Sequence, residues 1–568
     1  MNISELKKYL EQFDAFYRET CAAVPQNNTF DIVGTEESCW KFLISEKGVV
    51  TIETQYVQGD EAITDYYGAV RRTLLTLFAP EKMGYGTFKG AISHTCLDGW
   101  LPVSVVKFRT DLFEKVEAQF FADEQGNLRA AVTADGVTEY FKVISPVTQV
   151  PSEVLQLADP EPIRENGASF DAALTALRHH WEKKLAPVMK WQFPHEQLKK
   201  AILSALVKSF ITRYNGAIRY GATRYYCDTE KSAESFPPTV ITMVESALFY
   251  GLSQEALQIF GRFTEDFVNS KGEILHRGNG ASVSEHGMLL ETFCNCWHLT
   301  KDEDFFKRCS PYMDAVAGRL LQLIRRAGSG LIKGCPEDDL RAMPYRQWFS
   351  SNLWTARGLL AYSAVAPPAA LPLDEIRCFA EKTAALCSAA GVLTPAGEEF
   401  IPPCMEECGI FNDMNDFVEF TPENEVHSLS SYANYRFYPE MLSSCLLPRE
   451  TVRKIISWRR THGGDFYGAT AFRLFRNASL YGKERCLDDW PLYNYLRGLA
   501  HYGEYTEHAR VLAGHMALHQ SRGTFFAPEM SFRDRLDSTH CVPSQLTVPL
   551  AVRYLFPDSP TIDTALKE

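Results

Sequence analysis

Ala247-Leu-Phe-Tyr-Gly251, a helical run through Glu255-Ala256, and the closing Ser270-Lys-Gly272 form a unit that returns near the other end of the chain. There it reads Leu499-Ala-His-Tyr-Gly503, then Glu507-His-Ala509, then Ser521-Arg-Gly523, with nearly the same spacing between the glycines. Each copy is a helix stopped by Tyr-Gly, a second helix of about five turns, and a glycine that opens a loop. A helix pair cannot bury its apolar faces alone, so recurrent pairs stack into a solenoid or close into a ring. Closure would gather the long loops at one end of the molecule.

Working outward from these copies, periodicity predicts six helix pairs beyond residue 195. They are about 196–214 with 239–252, 254–269 with 285–299, 303–326 with 351–365, 373–389 with 429–445, 449–460 with 490–503, and 504–520 with 543–556. Long loops fall inside each pair and short links between pairs. Loops of that length are uncommon unless they are functional, and one rim of long loops is what a ring with a single active face would present. Upstream the period changes to two in Val49-Val-Thr-Ile-Glu-Thr54, Val103-Ser-Val-Val-Lys-Phe108, Val116-Glu-Ala-Gln-Phe-Phe121 and Leu128-Arg-Ala-Ala-Val-Thr133. Turn signals at Glu124-Gln-Gly-Asn127 and Ala134-Asp-Gly136 separate them, which predicts an antiparallel β-sandwich. Residues 1–20 read as one helix, Pro146 to Gly167 as a proline-rich connector, and Ser169 to Lys190 as a helix carrying Trp181. The expected organisation is an α+β chain: a β-sandwich domain at 1–150, a linker with a helix at 151–194, and a helical ring at 195–568.

The bulk numbers narrow the function. At 568 residues the chain exceeds one ordinary core. Its 45% apolar and 23% charged content is that of a soluble globular protein. A net charge of −13 disfavours nucleic acid and anionic membrane as partners. The 15 cysteines lack a CxxC pair, and Cys294 and Cys296 have a poor zinc spacing. Free thiols at this density predict a reducing, cytoplasmic location. The opening Met-Asn-Ile-Ser-Glu-Leu-Lys-Lys is not a signal peptide, and no run of 18 apolar residues predicts a membrane span. Neither a metal nor a cofactor is expected, and self-association is left open.

The intra-pair loops carry acids beside aromatic rings. The first offers Tyr225, Tyr226, Asp228, Glu230 and Glu234; the second has Arg277 and then Ser284-Glu-His286, where Glu285 also suits a helix cap. The third holds Glu337-Asp-Asp339, then Tyr345 and Trp348. Three adjacent acids repel, so desolvation there would make one hold its proton tightly. The fourth alternates acids with Phe411, Phe417 and Phe420 and runs into the aromatic-rich Tyr432-Ala-Asn-Tyr-Arg-Phe-Tyr-Pro439, a binding wall or a helix-packing face. The fifth ends at Asp488-Asp-Trp490-Pro, and the sixth presents Phe525-Phe-Ala-Pro-Glu529 with Arg533 four residues on.

The chain resembles the six-hairpin glycosidase superfamily, in which a β-sandwich precedes an (α/α)6 barrel. Three segments carry the likeness: Gly330-Leu-Ile-Lys-Gly-Cys-Pro-Glu-Asp-Asp339 ahead of Trp354, Asp488-Asp-Trp-Pro-Leu492, and Gly523-Thr-Phe-Phe-Ala-Pro-Glu529 followed by Pro543-Ser-Gln545. It departs from a common first hairpin, with Ser235-Phe-Pro-Pro238 where Trp-Pro-Arg-Asp is usual. The resemblance implies a glycoside hydrolase acting on small oligosaccharides or glycosides, with the proton donor near Glu337 or Asp339 and Glu529 as the catalytic base. Tyr226, Asp228, His286, Asp338, Trp348, Tyr432, Trp490 and Phe526 are the expected substrate contacts. A donor and a base on opposite loops predict inversion of configuration. The alternatives are a glycoside phosphorylase on the same fold, with Arg277 and His286 as anion ligands, or an inactive carbohydrate-binding protein. No GxxxxGK[ST] motif speaks for nucleotides.

Overall fold

The computed structural model describes residues 1–38, 40–55, 72–145, 161–214, 216–222, 227–228, 233–234, 236–275, 281–334, 345–366, 371–393, 397–406, 433–462, 464–472, 486–487, 490–559 and 561–562. After a first helix, α1 (Ile3–Ala23), come ten strands: β1 (Phe30–Gly34), β2 (Lys41–Ser45), β3 (Val50–Gln55), β4 (Arg72–Phe78), β5 (Phe88–Cys96), β6 (Ser104–Thr110), β7 (Val116–Ala122), β8 (Leu128–Ala134), β9 (Val137–Val143) and β10 (Ile163–Glu165). They form two antiparallel sheets, ordered β1-β2-β3-β4 and β10-β9-β8-β7-β6-β5. The two sheets share one apolar core, in which Phe42, Ile44 and Phe78 of the first meet Val106, Phe120 and Phe141 of the second. Phe78 sits 5.4 Å from Phe120 and 5.7 Å from Phe141, ring centre to ring centre. Period-two alternation produces this layer because it sends every second side chain to the same face. The end of the expected connector is itself structured, since β10 pairs with β9.

Apart from short strands in the connecting loops, the main elements that follow are helices: α2 (Gly167–Lys184), α3 (Glu196–Phe210), α4 (Pro237–Phe249), α5 (Ser253–Phe267), α6 (Val283–Thr300), α7 (Glu303–Ala327), α8 (Phe349–Ser363), α9 (Leu373–Ala389), α10 (Tyr438–Ser443), α11 (Arg449–Thr461), α12 (Leu492–His501), α13 (Tyr505–Gly514) and α14 (Thr547–Tyr554). Two ring types follow from composition. Every residue of α4 is buried, so this helix has no solvent face. By contrast α5 buries Ala256, Leu257, Ile259, Phe260, Phe263 and Phe267, a single stripe. The largely buried type makes a closed cycle: α4 touches α6, α6 touches α8, α8 touches α10, α10 touches α12, α12 touches α14, and α14 returns to α4. The striped helices lie outside it, with α5 on α4, α7 on α6 and α13 on α12. Although α1 precedes the sheets in sequence, it packs on α13, where Tyr9 Oη and His508 Nδ1 are 2.8 Å apart. Among the described residues no helix is long and apolar enough to cross a membrane.

The tightest contact in the cycle is the crossing of α6 and α8. A Cβ added at Gly358 would lie 2.4 Å from the Gly287 carbonyl oxygen and 2.5 Å from its Cα. Both obstacles are main-chain atoms, so no side chain can swing aside. Gly358→Ala is therefore expected to destabilise the chain by about 1–3 kcal/mol in chemical denaturation. Gly318 of α7 meets nothing within 4 Å, so Gly318→Ala should be neutral or stabilising. Equal effects of the two changes would mean that this crossing does not limit packing.

Candidate active site

The residues that open the inner helices touch one another, which defines a common rim. Trp490, ahead of α12, stands 5.3 Å from Phe236, ahead of α4, and 5.7 Å from Tyr435, ahead of α10. Trp348, ahead of α8, stacks on Phe437 at 4.5 Å. Tyr220 continues the run of rings, 5.9 Å from Phe236, and its carbonyl accepts from the Val542 N–H at 2.7 Å, just ahead of α14. The N-terminus of α6 joins through Arg436. Its Nη2 donates to Glu285 Oε1 at 2.7 Å, and its Nε donates to Glu440 Oε1 at 2.7 Å.

That triad is fully desolvated: Glu285, Arg436 and Glu440 are all buried. Glu285 also closes a capping box, its Oε2 accepting from the Ser282 N–H at 2.9 Å, so one carboxylate serves both the helix start and the guanidinium. Burial raises the Glu440 carboxyl above the ordinary range despite the opposing pull of Arg436, with Glu285 adding to the rise. Arg436 lies in a π-helical turn, Ala433–Phe437, and faces Trp490 at 5.4 Å. It ties α6 to α10 across a sequence separation that no local pattern bridges.

Glu529 sits on the same rim, half-buried, in the loop before α14. Its N–H donates to Thr539 O at 2.7 Å. The loop is clamped on both sides. The buried Gln545 accepts from the Ala527 N–H at 3.0 Å and donates to Phe525 O at 2.6 Å. His519 Nε2 and Pro528 O are 2.8 Å apart, and its Nδ1 meets Ser531 Oγ at 2.9 Å. Phe525 adopts φ +60, a strained left-handed conformation that this clamping sustains. The Glu529 carboxyl neighbours Cys541, whose thiol is pushed up to about 12 by burial first and by this charge second, and Tyr220 hydrogen-bonds the same thiol. Arg533, which could have formed an (i, i+4) pair with Glu529, stands over the Phe466 ring at 5.0 Å.

The sheets hold this loop as well. Phe30 N–H donates to Ser521 Oγ at 2.8 Å, Thr524 Oγ1 donates to Phe30 O at 2.5 Å, and Asn28 exchanges bonds with Leu536 at 2.7 and 2.9 Å. Gly523 is required here, because at φ +108 an added Cβ would stand 2.5 Å from His94 O.

Of the residues expected from sequence, the structure brings Trp490 and Glu529 to one rim. Trp348 and Phe526 are fully buried in its wall, the latter against Phe30 and His540. His286 is buried with both ring nitrogens on backbone: Nδ1 meets Ser282 O at 2.8 Å, and Nε2 accepts from the Ile274 N–H at 3.3 Å. Burial holds its pKa down at about 4, so the ring is neutral and fixes the loop ahead of α6. The backbone of Asp228 pairs with Ala233. Tyr226, Glu337, Asp338, Asp339 and Tyr432 lie outside the described residues. Sequence reasoning missed Arg436 and Glu440. Their (i, i+4) spacing was visible, but it sat inside a stretch read for its aromatic rings. Among the described residues no group of three or more His, Cys, Asp or Glu is placed to hold a metal ion.

No protein-family model matches the chain, and no curated protein matches it. Among solved structures it is similar to an unsaturated glucuronyl hydrolase specific for heparin, at 12% identity and a TM-score of 0.39, over 63% of this chain and 96% of that one. It is also similar to a wild-type glycosidase at 15% identity and a TM-score of 0.39, over 66% and 98% of the two chains. A glycosidase variant in complex with glucose gives 14% identity and a TM-score of 0.40 over the same shares.

The Glu285–Arg436–Glu440 triad makes a stability prediction. Arg436→Met strands two buried carboxyl groups and is expected to cost about 3–5 kcal/mol in urea unfolding at unchanged m. Adding Glu285→Gln and Glu440→Gln to Arg436→Met should recover part of that loss. A single change costing under about 1 kcal/mol would mean that water reaches the triad.

Proposed function

We propose that the chain is a glycoside hydrolase acting on small oligosaccharides or glycosides. In this reading the two sheets are an N-terminal β-sandwich, the helical cycle is an (α/α)6 toroid, and the active site is the rim where the inner helices begin. The reading rests above all on Glu529. Its half-buried carboxyl stands on a loop clamped by Gln545 and His519, next to Cys541 and Tyr220, at the head of a run of rings leading to Trp490. A carboxylate beside aromatic faces is what cleavage of a sugar acetal needs, because C–H surfaces of the sugar stack on rings while the acid–base pair works at the linking oxygen.

Glu529 is assigned as the base that takes a proton from the attacking water. The donor is assigned to Glu337 or Asp339, with Asp338, Asp228, Tyr226 and Tyr432 contributing to sugar binding; His286, whose ring nitrogens are both held by backbone, is left as a support of its loop. Carboxyl groups about 6.5–9.5 Å apart leave room for a water, and the sugar then inverts. Glu285, Arg436 and Glu440 form the rigid floor beneath, since a catalytic pair needs supports that do not relax.

Two experiments test this, after chromogenic glycosides of common sugars have been screened for a turned-over substrate. Glu529→Ala should fold normally, still bind sugar, and lose about 10²–10⁴-fold of turnover. Azide should then restore turnover and give a glycosyl azide of inverted configuration; full hydrolytic activity in Glu529→Ala removes the base assignment. For the donor, Glu337→Gln or Asp339→Asn should slow glycosides with poor leaving groups by a similar factor and spare those with very acidic phenols. Equal loss for all leaving groups would make the acidic run structural.

A further inference from the structure

Between the end of α1 and the start of β1 the chain reads Gln26-Asn27-Asn28-Thr29, a run of amide side chains outside every helix and strand. All three amides reach the loop that carries Glu529. Gln26 takes the limb that leads into it: Nε2 donates to Gln520 O at 2.9 Å, and Oε1 accepts from the Arg522 N–H at 2.9 Å. Asn27 and Asn28 take the limb that returns. The Asn27 N–H donates to Asp534 O at 2.8 Å, and its Nδ2 donates to Asp534 Oδ2 at 2.9 Å. Asn28 clasps a single residue with two bonds, Nδ2 donating to Leu536 O at 2.9 Å and Oδ1 accepting from the Leu536 N–H at 2.7 Å. In sequence Glu529 lies between the two clasped limbs.

The residue type follows from the task. An irregular loop has no ladder to pair its N–H and C=O groups, yet each needs a partner. A carboxamide carries a donor and an acceptor in one plane, so it can satisfy both groups as a neighbouring strand would. A carboxylate at position 28 would instead set an acceptor against Leu536 O.

The amide run is itself anchored at both ends. Arg522 Nη2 donates to Val24 O at 2.7 Å, where α1 stops. The Thr29 N–H donates to Glu46 Oε2 at 3.2 Å, and Thr29 Oγ1 meets His94 Nδ1 at 2.9 Å, which fixes the run to both sheets. Gln545 and His519 hold the middle of the loop, at Phe525, Ala527 and Pro528. The amides hold its two limbs.

We infer that Gln26, Asn27 and Asn28 are positioning residues for Glu529. They set where the two limbs stand, and through the limbs the place of the carboxylate against a bound glycoside. This inference rests on the glycosidase reading of Glu529. The rival explanation is that the amides only fasten the N-terminal segment to the rest of the molecule, so that losing one lowers stability and nothing else.

Comparing Asn28→Ala with Asp302→Ala in the full chain separates the two. Asp302 caps the outer helix α7, accepting from the Phe305 N–H at 2.8 Å, so its loss also removes a side-chain bond to the main chain. Amide hydrogen exchange is read by mass spectrometry on peptides spanning 520–540, and steady-state kinetics on a turned-over glycoside. Asn28→Ala should exchange faster across that span and lose about 10–100-fold in kcat at nearly unchanged KM, because a misplaced base is felt in the transition state and not in binding. Asp302→Ala should keep the wild-type exchange there and the wild-type kcat. Gln26→Ala should repeat the Asn28→Ala result, and it decides alone if Asn28→Ala does not fold. Wild-type exchange across the span overturns the proposal, as does a kcat no lower than that of Asp302→Ala. The reading of Glu529 fails separately. Full activity in Glu529→Ala removes the base assignment whatever the exchange shows, whereas an inactive Glu529→Ala beside a fully active Asn28→Ala removes the role of the amides and keeps the base.

Discussion

The inner helices are buried along most of their length, and most of the molecule's chemistry follows from that constraint. In a helix such as α4, buried along its whole length, any charged group left without a partner is costly. Polar residues are nevertheless present in quantity: Glu245, Glu285, Glu291, Arg436, Glu440 and Asn494 are all buried within the cycle. Each is a liability alone and a cross-link when matched. The cycle therefore carries a cluster at each end, Glu285–Arg436–Glu440 where the helices begin and Glu291–Arg357–Arg497 where they finish. Removing one partner strands the others, which is why such clusters enforce one arrangement more than they add net stability.

The sheets contribute a second desolvated pair. Lys208 of α3 meets Asp31 of β1 at 2.6 Å, with both side chains fully buried. Burial is the strongest single influence and would lower the lysine's pKa, but the charges of and hydrogen bonds to Asp31 and Cys96 together hold it above the usual value. Lys208 also lies 3.5 Å from Cys96 Sγ, and Cys96 donates to Thr524 O at 3.4 Å. One buried ion pair thus joins sheet to helix directly behind the loop that carries Glu529. The sheets act as a brace on that loop, which explains why its strained Phe525 backbone persists.

The two ends of the cycle differ physically. Where helices begin, unpaired N–H groups and the positive ends of the dipoles favour acids and oxygen-rich ligands, and Glu285 and Glu529 are found there. Where helices finish, exposed carbonyls favour cations, and Arg357, Arg497 and Arg553 are found there. Helix polarity accounts for arginines at such a place.

Much of the element plan could be read directly from the chain. Stripe spacing anticipated α7 over 303–326 against the observed Glu303–Ala327, and α9 over 373–389 as found. Period-two alternation located β6, β7 and β8, and the turn signals at 124–127 and 134–136 fall between strands as expected. Both are local: they depend on residues within one or two turns. The π-helical turns at Ala433–Phe437 and His515–His519 were not legible, since periodicity does not distinguish a widened turn from a regular one. At the rim, the sequence pointed to Glu529 through its Phe-Phe-Ala-Pro approach and to Trp490 ahead of a proline. It could not say that Arg436 would meet Glu285 or that Lys208 would meet Asp31. A side chain's partner is chosen by which helices lie side by side once the cycle closes. That choice is made by packing among residues far apart in the chain, such as Gly287 against Gly358, and local pattern carries no record of it.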